Sequence, residues 1–200
     1  MGRNRLEAFS DGVLAIVITI MVLELHRPEG PELSDLADTA NGFLSYAISF
    51  VYVGIYWNNH HHLFQLVNQV DGVVLWANLH LLFWLSLLPF TTAWTDETAF
   101  AQVPTMVYGV NLLMAGTAYY LLQLALKRLD PHGRLDQALG ADVKGKLSPV
   151  LYVLGILAAL LDPWLSLVFF VAVALMWLVP DRRVERTIAE VQADASRRAS

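Results

Sequence analysis

The chain has 200 residues, of which 56% are hydrophobic, 11% aromatic and only 16% charged, with a formal net charge of -5. A soluble domain carries about 45–50% apolar and about 25% charged residues, so this composition argues against disorder or collagen-like repeats and points to a compact membrane protein. The negative balance offers no basic field for nucleic acid, and the lack of cysteine removes disulfides, thiolate metal sites and a cysteine nucleophile.

A membrane-spanning helix needs about 20 mostly apolar residues. In chain order, six stretches fit: residues 5–25, 34–67, 72–94, 98–126, 145–161 and 163–180. The sequence therefore predicts an all-α integral membrane protein with six transmembrane helices. The first stretch resembles a signal peptide, with arginines before an apolar run. Yet Asp11 precedes the run, Glu24 sits near its end, and no small-x-small cleavage site follows, so we read it as a retained helix. The segment His26-Arg27-Pro28-Glu29-Gly30-Pro31 breaks the chain after it. Asp162-Pro163 reads as a tight reversal, with Asp as cap and Pro as first helical residue. The fifth and sixth stretches are short enough to form one peripheral hairpin. Beyond Pro180 the chain turns polar, with Val184, Ile188 and Val191 at amphipathic spacing. Residues 1–180 thus form the membrane domain, and 181–200 a polar tail with a short amphipathic helix.

Charge placement orients this arrangement. With six spans both termini share one side, and every Lys and Arg except Arg27 falls on it. The other side carries Glu29, Glu32, Asp35, Asp96 and Glu97. Basic segments stay cytoplasmic, so both termini are expected in the cytoplasm and the protein in the inner cell membrane. An odd count would split the basic clusters. No internal repeat is visible, so a pore with rotational symmetry would need several copies of the chain.

Ionisable groups inside spans are costly and mark function by default. Here they are Asp11, Glu24, His60, His61, His62 and His80, joined by Ser10, Asn58, Asn59 and Asn78. Asp11 is open to two readings: a helix-start carboxylate complementing the dipole, or a buried hydrogen-bond hub with His60 as partner. The run His60-His61-His62 suggests metal at first sight. Adjacent helical residues point about 100° apart, however, so three in a row cannot converge on one ion. No carboxylate set or HxxxH spacing for a di-iron centre occurs, nor any phosphate-binding, nucleophile-elbow, TVGYG or arginine-ladder motif. No enzyme, metal or cofactor is therefore expected.

On an ideal helix Ile20 and Leu23 lie within about 40° of Ile16, and Thr19 on the edge of that stripe, while Asp11 projects about 140° away. Taken alone, such a stripe more often faces lipid or another helix than a pore. Arg5-x-x-x-Phe9-Ser10-Asp11-Gly12, followed by this apolar run, resembles the RxxxFSD signature of the transmembrane protein 175 family of potassium channels. Trp57-x-x-His60 with Leu63-Phe64, and Leu75-x-x-Asn78 with Leu88-Pro89, resemble its second and third helices. The resemblance covers roughly the first 95 residues; the last three spans match in number and hydrophobicity.

The resemblance implies a homotetramer, since bacterial members carry one six-helix repeat per chain. It places the first helices around the axis, with Ile16 at an apolar bottleneck and Thr19, Ile20 and Leu23 in the next layers. Motif residues Arg5, Phe9, Ser10, Asp11, Trp57, His60 and Asn78 would bridge helices one to three. Glu24, about 80° from Ile16, would concentrate cations at the outer mouth. The leading expectation is a channel modestly selective for potassium over sodium, with other copies, potassium ions and the bilayer as partners. The alternative is a proton- or cation-coupled transporter using an Asp11/His60 relay.

Overall fold

Leu6, Leu14, Val17 and Met21 recur at helical spacing, and Arg3–Leu23 forms helix α1 with these residues on its buried face. The computed structural model describes residues 2–67, 69–131, 133–140 and 142–178. Among them the secondary structure is entirely helical: α2 Leu33–Asp38, α3 Ala40–Gln65, α4 Gly72–Ser86, α5 Leu88–Glu97, α6 Gln102–Lys127, α7 Arg134–Leu139, α8 Val143–Ala158 and α9 Pro163–Leu178. The predicted amphipathic helix of the tail lies outside the described residues.

By length and composition α1, the combined α4–α5 unit and α6 can each cross a membrane, and α9 is a shorter apolar helix. The predicted boundaries need three corrections. Residues 34–67 are two helices, because α2 ends at Thr39, where the backbone leaves helical geometry (φ -92°, ψ 6°). Residues 72–94 are interrupted at Leu87, because Pro89 lacks an amide hydrogen and its ring crowds the carbonyl one turn back. The stretch 98–126 starts late, at Gln102. Ala99 and Phe100 both adopt left-handed backbone (φ 49° and 59°), which L side chains resist and which no helix continues. Phe100 is buried and packs on the Trp164 ring at 4.8 Å, which holds that turn in place.

The reversal before α9 follows the sequence: Asp162 accepts a bond from Trp164 N at 2.9 Å, and Pro163 opens the helix. Asp71 caps α4 in the same way, accepting from Val74 N at 2.9 Å.

Helix α1 packs on α3, α4 and α5, while α6 packs on α4, α5, α8 and α9. Close approach in the second half depends on small residues. A Cβ at Gly109 of α6 would lie 2.5 Å from Phe170 Cζ, and one at Gly155 of α8 would lie 2.6 Å from Phe170 Cε1. Only glycine admits the Phe170 ring at both places, the means by which membrane helices gain packing without a hydrophobic driving force. The two halves meet along α6 against α4 and α5, and again where Tyr52 OH of α3 donates to the Phe170 carbonyl at 2.7 Å.

Candidate functional site

One face of α1 is fixed by a chain of buried polar groups. Asn78 Nδ2 of α4 donates to Ser10 Oγ at 2.9 Å, and Ser10 Oγ donates to the Leu6 carbonyl at 3.0 Å. Asn78 Oδ1 lies 2.8 Å from His60 Nε2 of α3. An amide oxygen only accepts, so His60 Nε2 carries the hydrogen. All three side chains are at most 1% exposed. Ser10, His60 and Asn78 thereby join α1, α3 and α4 through bonds that few alternative packings could satisfy.

A second polar layer runs beside it, partly exposed. Asp11 Oδ1 accepts from Trp57 Nε1 at 3.1 Å, and the Trp57 ring stacks on His61 at 6.4 Å. His61 Nδ1 meets Glu7 Oε1 at 2.7 Å, and Gln65 Nε2 donates to His61 Nε2 at 2.7 Å. Arg3 reaches the Phe64 and Val67 carbonyls at 3.4 and 3.0 Å, placing a cation at the C-terminal end of α3. Arg3, Glu7 and Asp11, at four-residue spacing on α1, thus face α3, where Trp57, His61 and Gln65 share the same spacing. The sequence reading missed Arg3, Glu7 and Gln65 and gave His61 no partner, although this matched i, i+4 pattern was there to find.

Two expectations change. His60 is bonded to Asn78 and not to Asp11, because Ser10 and Asp11 point about 100° apart and only Ser10 faces the bundle interior. Asp11 takes Trp57 as its partner at the edge. The proposed Asp11/His60 relay therefore has no direct link. His80, left unassigned from sequence, accepts from Trp84 Nε1 at 3.0 Å within α4.

Of the other motif residues, Arg5 and Phe9 sit exposed on α1, and within one copy neither joins the network. Opposite the buried face, Ile16 is 60% exposed, Ile20 40% and Leu23 76%, and Thr19 is exposed between them. Thr19 Oγ1 lies 2.8 Å from the Ala15 carbonyl, so its hydrogen is committed to the helix. Glu24 ends α1 and, with Ile20 and Glu97, lines a cleft of about 440 Å³ against α5. The stripe, its hydroxyl edge and two carboxylates thus share one unpartnered surface.

Comparison with known proteins bears on what that surface is. The family model described as endosomal/lysosomal potassium channel TMEM175 matches residues 5–89, the stretch holding most of α1, all of α3 and α4, and the buried bonds of Ser10, His60 and Asn78. A potassium channel from Chryseobacterium sp. is 50% identical over 95% of this chain and 100% of its own length. The chain belongs to the TMEM175 family.

The crystal structure of a homolog, from Chamaesiphon minutus, of the lysosomal potassium-selective channel TMEM175 superposes with a TM-score of 0.78 at 28% identity, over 88% of this chain and 96% of that one. The human endosomal/lysosomal proton channel TMEM175 is 33% identical over 52% of this chain and 23% of its own length. TMEM175-like structure therefore extends well past residue 95, where the motif resemblance ends, and the chain is a membrane protein.

Proposed function

We propose that the chain forms a potassium channel, with four copies assembled around their α1 helices and a pore lined by Ile16, Thr19, Ile20 and Leu23. The observation that carries this reading is the unpartnered stripe on the helix whose other face is fixed most firmly. Only 28% of the apolar stretch of α1 is buried within one copy, against 56% for α6. A helix so tightly anchored on one side, and bare on the other, is suited to hold a ring of side chains at constant radius. Relatives named as potassium channels support the choice of ion.

Isoleucine offers no oxygen to replace water lost from an ion. At an Ile16 ring a cation must shed part of its shell or the ring must widen. Potassium holds water less tightly than sodium, so it crosses at lower cost, with modest selectivity. A ring of this kind also closes by dewetting. Glu24, at the far end of the stripe, raises the local cation concentration at the mouth. In this reading α1, α3, α4–α5, α6, α8 and α9 are the six spans of a membrane domain, residues 1–180. The polar tail, residues 181–200, and both termini lie on the basic, cytoplasmic side of the inner membrane.

The test is cation flux into liposomes holding the purified protein. Wild type should pass potassium faster than sodium, and Ile16→Ala and Ile16→Asn should erode that preference. Equal selectivity in all three forms would remove Ile16 from the constriction. Glu24→Gln should lower potassium flux at low ionic strength and leave it unchanged at high ionic strength, where charge is screened.

A further inference from the structure

Away from α1, a cavity of about 390 Å³ lies between α3, α6, α8 and α9. That volume falls within the roughly 300–1,000 Å³ of ordinary ligand pockets. Its walls are graded. Ile55, Leu113 and the rings of Tyr52, Tyr56 and Tyr152 line the deep part, near the middle of the helices. Asn59, Gln123, Ser148, Trp177 and Lys146 line the part nearest the basic ends of α3, α6, α8 and α9. Tyr120, Lys146 and Pro149 are the exposed members of the lining and mark the mouth. Gly116 leaves part of the space open: a Cβ there would lie 3.5 Å from Tyr152 Cε2 and 3.6 Å from Tyr56 OH.

The charge and the hydrogen bonds narrow the occupant. Lys144 Nζ sits 6.0 Å from the Trp177 ring centroid, so a second ammonium stands at the same end of α8. Inside, Thr117 Oγ1 already donates to the Leu113 carbonyl at 2.8 Å and Ser148 Oγ to the Lys144 carbonyl at 2.7 Å. Tyr119 OH donates to the Asn59 carbonyl at 3.2 Å. A sugar or a nucleotide would lose more hydrogen bonds to water than these walls return. A long apolar chain carrying one anionic group matches both ends of the gradient.

We propose that this cavity is a lipid site that takes one acyl chain of an anionic phospholipid, with its phosphate against Lys146 at the mouth. The lipid enters from the leaflet at the basic end. The inference shares the bilayer with the proposed function, and no step of it depends on conduction. A chain seated there would fill the gap between α3 and α6, which the tyrosines otherwise span alone.

The experiment uses the intact assembly, stripped of lipid in a neutral detergent. It is titrated with phosphatidylglycerol, phosphatidylcholine, palmitate and inorganic phosphate, with retained lipid counted by native mass spectrometry. Wild type should keep one phosphatidylglycerol per chain in preference to phosphatidylcholine. Lys146→Gln should weaken phosphatidylglycerol roughly fivefold, the effect of one lysine near an anionic surface, and leave phosphatidylcholine unchanged. Gly116→Leu should abolish retention by filling the cavity. Leu113→Phe serves the same purpose if the first variant does not fold. Equal retention of both phospholipids, or retention unaffected by Lys146→Gln and by the filling variants, would overturn the proposal. Displacement of the phospholipid by palmitate or by inorganic phosphate at the same concentration would overturn the phospholipid assignment. Lipid retained without ion flux would sink the channel reading alone; flux without retained lipid would sink this one alone.

Discussion

Around α1 the helices are joined by a continuous chain of buried hydrogen bonds, whereas around α6 close packing on glycine is supplemented by separate bonds, such as Tyr108 OH with Ser49 Oγ at 3.0 Å and Asn111 Nδ2 to Thr91 Oγ1 at 3.3 Å. Ser10, Asn78 and His60 are each buried and each bonded to the next. Gly109 and Gly155 are instead silent surfaces that accept the Phe170 ring. Directed bonds fix the rotation of a helix about its own axis, because a slip of one residue moves every donor by about 100°. Shape packing fixes how closely helices approach. A pore helix needs the first kind of constraint, since its rotation decides which side chains face the axis. A scaffold leans more on the second.

Substitutions can break each constraint separately. Asn78→Ala strands the His60 Nε2 hydrogen in a dry site and takes the donor from Ser10 Oγ, and should cost about 2–4 kcal/mol and most of the yield of assembled protein. Thermal unfolding in detergent reads this directly, and a change below about 0.5 kcal/mol would show that the chain of bonds does not hold α1. Gly109→Ala drives a methyl into Phe170 and should cost about 1–3 kcal/mol, with assembled protein still selective for potassium. A loss of selectivity there would deny the separation of scaffold from pore. The double variant should be additive within about 0.5 kcal/mol, because the two sites share no partner.

Smaller effects sharpen the picture. Trp57→Phe removes the donor to Asp11 while keeping an aromatic ring. Trp57 is 49% exposed, so the loss should be about 1 kcal/mol by the same melting measurement, well short of the Asn78 variant. Parity between the two would move the weight of the anchor from Asn78 to Asp11. Ala99→Gly relieves a left-handed backbone and should stabilise the chain by about 0.5 kcal/mol, visible as a small rise in melting temperature. A fall would mean that the α5–α6 turn is held by more than the position of Phe100.

The same contrast explains what the sequence disclosed. Ser10, His60 and Asn78 stand out because polar residues in apolar helices need partners, and a motif made of them is readable. The wrong partner for Asp11 came from treating neighbouring residues as one hub, where a helix sends Ser10 inward and Asp11 to the edge. Glu7 was passed over and His61 left without a partner because each looks like an ordinary interfacial residue until its opposite number on the other helix is known. The interlock of Gly109, Gly155 and Phe170 was illegible for a different reason. Glycines in apolar helices carry no mark of which ring they admit, and neither do the tyrosine walls of the cavity. The breaks at Thr39 and at Ala99 and Phe100 were missed because backbone geometry, not composition, set them.

The most direct measurement of the central claim exploits the absence of cysteine, which gives substituted-cysteine experiments no background. Single cysteines at Ile16, Thr19, Ile20 and Leu23, and for contrast at Leu14 and Val17, would be tested for block of potassium current by a thiol-reactive cation. The account predicts block at the four stripe positions and none at the two buried ones. Block at Leu14 and Val17 with the stripe unreactive would mean that α1 turns its other face to the pore, and the reading would fail.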